Sequence, residues 1–81
     1  MARRVLVTGA DRGIGKAVAL RLADAGFDIA VHCRSNVKGA EETADAVRSK
    51  GRSAEILRFD VSDRNAAREA LEGSMEVNGA F

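Results

Sequence analysis

Residues 5–15 read Val5-Leu-Val-Thr-Gly-Ala-Asp-Arg-Gly-Ile-Gly15. The apolar run predicts a strand over Arg3–Thr8, and the residues after it have the pattern of a helix. Three glycines, Gly9, Gly13 and Gly15, lie at the junction of the two. A strand that ends in a glycine-rich turn and continues as a helix aims free backbone N–H groups, and the positive end of the helix dipole, at one point. The stretch therefore predicts a binding site for an anion such as a pyrophosphate.

The rest of the chain continues this alternation of strand and helix. Further strands are predicted over Asp28–Cys33 and Ala54–Phe59. Apolar residues at helical spacing form one stripe on each of three helices: Ile14, Val18, Leu22 and Ala25 on the first, Val37, Ala40, Ala44 and Val47 on the second, and Ala67, Ala70, Leu71, Ser74 and Met75 on the third. The order βαβαβα with short connections predicts a parallel sheet.

Capping residues and glycines mark the ends of these helices. The first is expected to run from about Gly13 to Ala25 and to stop at Gly26. Polar residues before the other two are candidate N-caps, and glycines follow them: Ser35 or Asn36 before the second, Ser62 or Asp63 before the third, then Gly51 and Asn78–Gly79 as their ends.

Length and composition limit the possible functions. The 81 residues make at most one small domain, with 46% apolar residues, 31% charged residues and a net charge of +1. Such a charge provides no electrostatic surface for nucleic acid or membrane binding. The single Cys33 excludes an internal disulfide and suits a reducing compartment. The N-terminal residues 1–4 lead into too few apolar residues for a signal peptide, so a cytoplasmic protein is expected.

At this point the residues indicate a family. Thr8-Gly9-Ala-Asp-Arg-Gly13-Ile-Gly15 resembles the Thr-Gly-x3-Gly-x-Gly motif of the short-chain dehydrogenase/reductase family. Asp60-Val61-Ser62-Asp63 looks like its second signature, and the whole run, with Cys33-Arg34-Ser35-Asn36, is most similar to the 3-oxoacyl-[acyl-carrier-protein] reductase branch. The resemblance implies the N-terminal βαβαβα half of a Rossmann-type, doubly wound α/β sheet with strand order 3-2-1. Residues 1–81 would be the dinucleotide-binding part, roughly a third of one family domain of a couple of hundred residues.

The resemblance also implies roles for the residues of the turn. Gly9 makes the tight turn, and Gly13 lets the backbone approach the cofactor. Ile14 offers its N–H to the pyrophosphate, and Gly15 allows the helix to pack closely on the strand.

The same resemblance implies cofactor contacts for three further residues. Asp60 would accept a hydrogen bond from the adenine amino group, and Val61 would contact the adenine ring. Asp11 stands where this branch often has Ser, and its carboxylate is expected to accept from a ribose hydroxyl.

The choice of cofactor follows from charge. NAD-binding relatives place an acid about 20 residues past the glycines, where it binds the ribose 2′-OH and repels a 2′-phosphate. Here the second strand ends in Cys33-Arg34-Ser35, without an acid. Arg12 and Arg34 can pair with a 2′-phosphate and Ser35 can donate to it, so NADP(H) is predicted.

The family's catalytic residues have no counterpart among these residues. The resemblance implies a Tyr with a Lys four residues later, and the sequence contains no Tyr. His32 and Cys33 are interpreted as strand side chains, and no metal-ligand cluster is predicted. The parent protein would pass hydride from NADPH to a ketone, with a 3-oxoacyl thioester on acyl-carrier protein as the first choice, while the chain alone would be inactive. A sugar, steroid or xenobiotic ketone fits the same 81 residues nearly as well.

Two other interpretations remain open: a non-catalytic dinucleotide-binding module, and a truncated chain with no function of its own. In the family the next strand pairs with the first one. The free first strand is therefore expected to contact the remainder of the domain or to cause self-association.

Overall fold

The computed structural model describes residues 3–78 and residue 81. Three strands alternate with three helices, in the order β1 (Arg4–Val7), α1 (Gly13–Asp24), β2 (Asp28–Cys33), α2 (Val37–Ser49), β3 (Ala54–Arg58) and α3 (Arg64–Asn78). The predicted element order is confirmed, and the ends predicted for the three strands and for α1 lie within one residue of the observed ones. The predicted stop at Asn78–Gly79 lies partly outside the described residues, because Gly79 is not among them.

The three strands form one parallel sheet with β2 in the centre. Val7 pairs with Val31, and Val31 pairs with Ile56, so the carboxyl ends of all strands lie at one edge. The neighbour order β1-β2-β3 agrees with the order 3-2-1 implied by the family resemblance. Because each strand leads into its loop at this edge, the glycine-rich turn and the loops after β2 and β3 come together there.

One face of the sheet carries the hydrophobic core. Ile29, Val31 and Cys33 of β2 are buried there, since side chains alternate across a strand. They pack with Val7 and with small or branched residues of α1 and α2: Ala19, Ala23, Ala40, Ala44 and Val47. The two helices therefore cover the same face.

The predicted inner stripe of α1 is wrong at three of its four residues, since Ala25 is exposed as well as Ile14 and Val18. Ile14 is 84% exposed and Val18 is 43% exposed, whereas Ala19 and Ala23 are buried. Gly15, Ala19 and Ala23 follow each other at intervals of four, so the smallest side chains of α1 face the sheet. Small residues there let the helix axis approach the strands closely, which leaves the larger apolar residues at the margin.

The opposite face of the sheet holds α3. Arg4 of β1 and Glu55 of β3 form an ion pair there. Ser74 of α3 donates to the Glu55 carboxylate and accepts from Arg4 Nη1 at 3.0 Å. Of the predicted inner stripe of α3, Ser74 is buried, whereas Met75 is exposed. This polar contact joins α3 to the sheet.

In the described part of the chain, the helices are too short or too polar to cross a membrane.

Candidate functional site

The glycine-rich turn leaves β1 in a conformation that only glycine adopts readily. Gly9 has φ +61° and Gly13 has φ +60°, both in the left-handed region. The Gly9 N–H donates to Nδ1 of His32 at 2.9 Å, and the Ala10 N–H donates to the His32 carbonyl oxygen at 2.9 Å. The first part of the turn is therefore held by β2.

Gly15 lies where α1 crosses the end of β1. A Cβ atom on Gly15 would lie 2.2 Å from the carbonyl oxygen of Gly9 and 3.1 Å from that of Thr8. Backbone atoms cannot move aside as the end of a flexible side chain can. A side chain at this position would therefore push α1 away from the turn.

The start of α1 differs from the starts of the other two helices. Asn36 caps α2 by accepting from the Gly39 N–H at 3.1 Å. Asp63 caps α3 by accepting from the Ala66 N–H at 3.1 Å. At the start of α1, by contrast, Arg12 makes no side-chain cap hydrogen bond. The N–H groups of that turn lack intrahelical partners, so they are available to an anion together with the helix dipole.

Asp11 connects the turn to α2. Its side chain is only 10% exposed, and its Oδ2 accepts from Asn36 Nδ2 at 3.1 Å and from Arg12 Nε at 3.2 Å. Burial alone would raise the pKa of the Asp11 carboxyl. The hydrogen bonds from Asn36, from the backbone and from Arg12 outweigh burial, so the pKa is lowered. Asp11 thus carries its charge as an anchor within the protein, and its ribose contact stays a prediction.

Thr43 makes a second link between α2 and the turn. It is fully buried, and its hydroxyl donates to the carbonyl oxygen of Ala10 at 2.8 Å. The predicted apolar stripe of α2 did not include Thr43, because its hydroxyl gives no apolar signal at that position. Together, Thr43 and the Asp11–Asn36 hydrogen bond fix the start of α2 against the turn.

Acid unfolding should report on Asp11. The folded pKa lies below the value of about 3.9 in an unfolded chain. The carboxylate therefore contributes its full stabilisation above about pH 5, and this is lost as the pH falls through about 4 toward the folded pKa. We expect the free energy of unfolding of the full-length gene product, measured in urea from pH 6 to pH 3, to fall less steeply in D11N than in the wild type.

The exposed carboxylate of Glu69 on α3 provides the control for that experiment. E69Q should follow the wild-type curve. Parallel curves for wild type and D11N would show that the Asp11 hydrogen bonds do not stabilise the fold.

The loops after β2 and β3 bring Arg34 and Asp60 together. Arg34 Nη2 lies 3.4 Å from Asp60 Oδ2, and the guanidinium side chain is 78% exposed. The other oxygen, Oδ1, accepts from the backbone N–H and the hydroxyl of Ser62 at 2.9 and 2.7 Å. These hydrogen bonds, with the Arg34 charge, lower the pKa of Asp60. Ser62 therefore orients Asp60, and Asp63 is the cap of α3.

The other predicted contacts of these loops are open to solvent. Val61 is 60% exposed and Ser35 is exposed. An ion pair at the surface contributes little to stability, because solvent screens the charges. Arg34 can therefore exchange Asp60 for a more highly charged anion at little cost.

An open cleft of about 440 Å³ lies between the amino ends of α1 and α2. Three cations and two acids are among the side chains that line it: Arg12, Lys16, Lys38, Asp11 and Glu42. Lys16 and Lys38 were not predicted as site residues. They lie on separate helices, and the sequence does not show that the two helices line one cleft. The cleft carries an excess of positive charge.

His32 and Cys33 lie side by side at the end of β2 and are both buried. Within residues 3–78 and 81, the structure contains no group of three or more potential metal ligands. Cys33 is fully buried, and burial raises the pKa of its thiol. His32 is also buried, and both of its ring nitrogens have backbone partners. The interpretation of His32 as a plain strand side chain missed these contacts, since the partners lie 23 and 27 residues away.

The sequence of this chain is similar to those of several reductases. It is 54% identical, over all 81 residues, to the 3-oxoacyl-[acyl-carrier-protein] reductase FabG of Aggregatibacter actinomycetemcomitans, of which it covers 34%. It is 43% identical over 72 residues to the uncharacterized oxidoreductase YohF of Escherichia coli, covering 89% of this chain and 28% of that protein. The chain thus spans about a third of the length of these curated relatives.

Solved structures and a family profile agree with that similarity. Acetoin dehydrogenase from Enterobacter cloacae superposes with a TM-score of 0.91 and 38% identity, over 100% of this chain and 32% of that one. The landomycin C-6 ketoreductase LanV, solved with bound NADP and rabelomycin, has a TM-score of 0.82 and 35% identity. The match covers 96% of this chain and 34% of LanV. Residues 3–80 match the profile described as short chain dehydrogenase. The chain belongs to the short-chain dehydrogenase family.

Proposed function

We propose that this chain is the NADP(H)-binding part of a short-chain reductase. One observation carries the proposal: the N–H groups at the start of α1 have no side-chain cap, and cations lie around them. Backbone N–H groups and a helix dipole suit a pyrophosphate. The donor set therefore fits a dinucleotide, with Gly13, Ile14 and Gly15 at its diphosphate.

The form with a 2′-phosphate is the one that the charges favour. No acid ends β2, and the loop after it carries Arg34 and Ser35. Arg12, 77% exposed, reaches the same edge of the sheet from the turn. Guanidinium groups bind phosphate through paired, charge-assisted hydrogen bonds. Arg12 and Arg34 would hold the 2′-phosphate, while Asp60 and Val61 would contact the adenine.

The reaction that we propose for the whole protein is the reduction of a ketone. NADPH, when bound, supplies the hydride, and this chain's residues bind and orient it. A 3-oxoacyl thioester on acyl-carrier protein is the proposed substrate, because the FabG relative is a reductase of that class and is 54% identical. The 81 residues contain no Tyr, so we propose that they bind the cofactor without reducing a ketone by themselves.

The test begins with the intact mass of the full-length gene product, followed by fluorescence titration with NADPH and with NADH. We expect preferential NADPH binding, and NADPH oxidation on addition of a 3-oxoacyl thioester. NADH bound at least as tightly would overturn the NADP assignment. NADPH binding without oxidation by any ketone would support a non-catalytic dinucleotide-binding module.

We also propose that β1 contacts another segment of polypeptide, either the remainder of this domain or a second copy. Among the described residues β1 pairs with β2 and with no second strand. Ile14 and Val18 add exposed apolar surface on α1. Unpaired strand edges promote association. The 81-residue chain expressed alone should therefore scatter light as an oligomer or aggregate, and a monodisperse monomer that melts cooperatively would contradict this proposal.

A further inference from the structure

His32 lies at the carboxyl end of β2, between the ends of β1 and β3. Its Nδ1 accepts from the Gly9 N–H at 2.9 Å, and its Nε2 lies 2.8 Å from the carbonyl oxygen of Phe59. An N–H can only donate and a carbonyl can only accept. The contacts therefore assign a neutral ring with its proton on Nε2, which donates to Phe59. The ring is buried and bonded at both ends.

The backbone of the same strand reinforces this connection. The His32 carbonyl accepts from Ala10, so His32 receives two consecutive N–H groups of the glycine-rich turn. Phe59 donates its N–H to the Cys33 carbonyl at 3.1 Å, and its ring centroid lies 4.3 Å from that of His32. Phe59 directly precedes Asp60. One side chain thus connects the turn that faces the diphosphate with the loop that faces the adenine.

We propose that His32 is a positioning residue for the dinucleotide, holding the glycine-rich turn and the Asp60–Val61 loop at the separation that one bound cofactor requires. This inference rests on the proposed function. A dinucleotide would contact the glycine-rich turn and the Asp60–Val61 loop at the same time. A change in the distance between them would therefore lower its affinity. Gly9 has φ +61° and no side chain of its own, and its N–H is bonded to His32.

Two conservative variants separate the two ends of the ring. In H32N the amide oxygen stands near the place of Nδ1 and can accept from Gly9, while the donor to Phe59 is lost. In H32Q the amide nitrogen stands near the place of Nε2 and can donate to Phe59. H32L removes both hydrogen bonds and leaves the buried Phe59 carbonyl without this partner.

The experiment measures Kd for NADPH by fluorescence titration, with KM and kcat, on the full-length gene product well below its melting temperature. We expect H32L to weaken NADPH binding about tenfold or more, with H32N and H32Q between it and the wild type and kcat nearly unchanged. V31A is the matched control, because Val31 is the neighbouring buried residue on the core face of β2. V31A should lower the melting temperature without changing Kd.

Each other outcome has a distinct meaning. Equal Kd values for wild type, H32N and H32Q would overturn the positioning role even if H32L does not fold. An increase in Kd for V31A as large as that for H32L would reduce the role of His32 to general stability. Nitrogen NMR of the wild-type imidazole must show the proton on Nε2, and a proton on Nδ1 would contradict the contacts. A wild type that binds no dinucleotide would overturn the proposed function itself.

Discussion

G15A is expected to lower the free energy of unfolding by about 3 kcal/mol, because overpacking against a rigid neighbour costs that much. The new Cβ would stand 2.2 Å from the Gly9 carbonyl oxygen, well inside any real contact. The helix must shift away, and its first N–H groups move with it. We therefore expect NADPH affinity to fall along with stability, as measured by urea unfolding and fluorescence titration of the full-length gene product.

Gly73 provides the matched control in the same chain. It lies within α3, is exposed, and a Cβ there would meet nothing within 4 Å. G73A should raise stability by about 0.5–1 kcal/mol, since alanine is the better helix former, and should leave NADPH affinity unchanged. Similar effects of G15A and G73A would show that close packing of α1 on the turn is not what Gly15 provides.

R34A is expected to weaken NADPH binding about 10- to 100-fold and to change NADH binding less than about threefold. A hydrogen bond to a charged group contributes about 1.5–3 kcal/mol, and each 1.4 kcal/mol is a factor of ten in affinity. NADH has no 2′-phosphate, so only the surface ion pair with Asp60 is lost in its case. R12A should act in the same direction, because the Arg12 guanidinium is exposed at the turn.

The control for these variants is R68A, because Arg68 is an exposed arginine within α3 and not in the loops after the strands. It should leave both affinities as in the wild type. Equal losses for NADPH and NADH in R34A would mean that Arg34 does not distinguish the two cofactors. In that case Lys16 and Lys38, which line the cleft, become the next candidates for binding the 2′-phosphate.

The backbone plan of this protein was predictable because its signals are local. Strand and helix periods, the glycines of the turn and the caps at Asn36 and Asp63 all depend on neighbours a few residues apart. The stripe of α1 was mispredicted because apolar spacing shows which residues share a face, but not which face the sheet will cover. Gly15 and the alanines after it face the sheet instead, where close approach favours the smallest side chains.

By itself the sequence determined the order of elements, the turn between β1 and α1, and the residue types available for an anion. The tertiary structure alone decided that His32 joins Gly9 to Phe59 and that Asp11 anchors Asn36. It also decided that Arg34 pairs with Asp60. These contacts join atoms more than twenty residues apart, and they depend on the register of parallel strands. Local propensity does not encode that register, because it is set when the side chains of the whole sheet pack together.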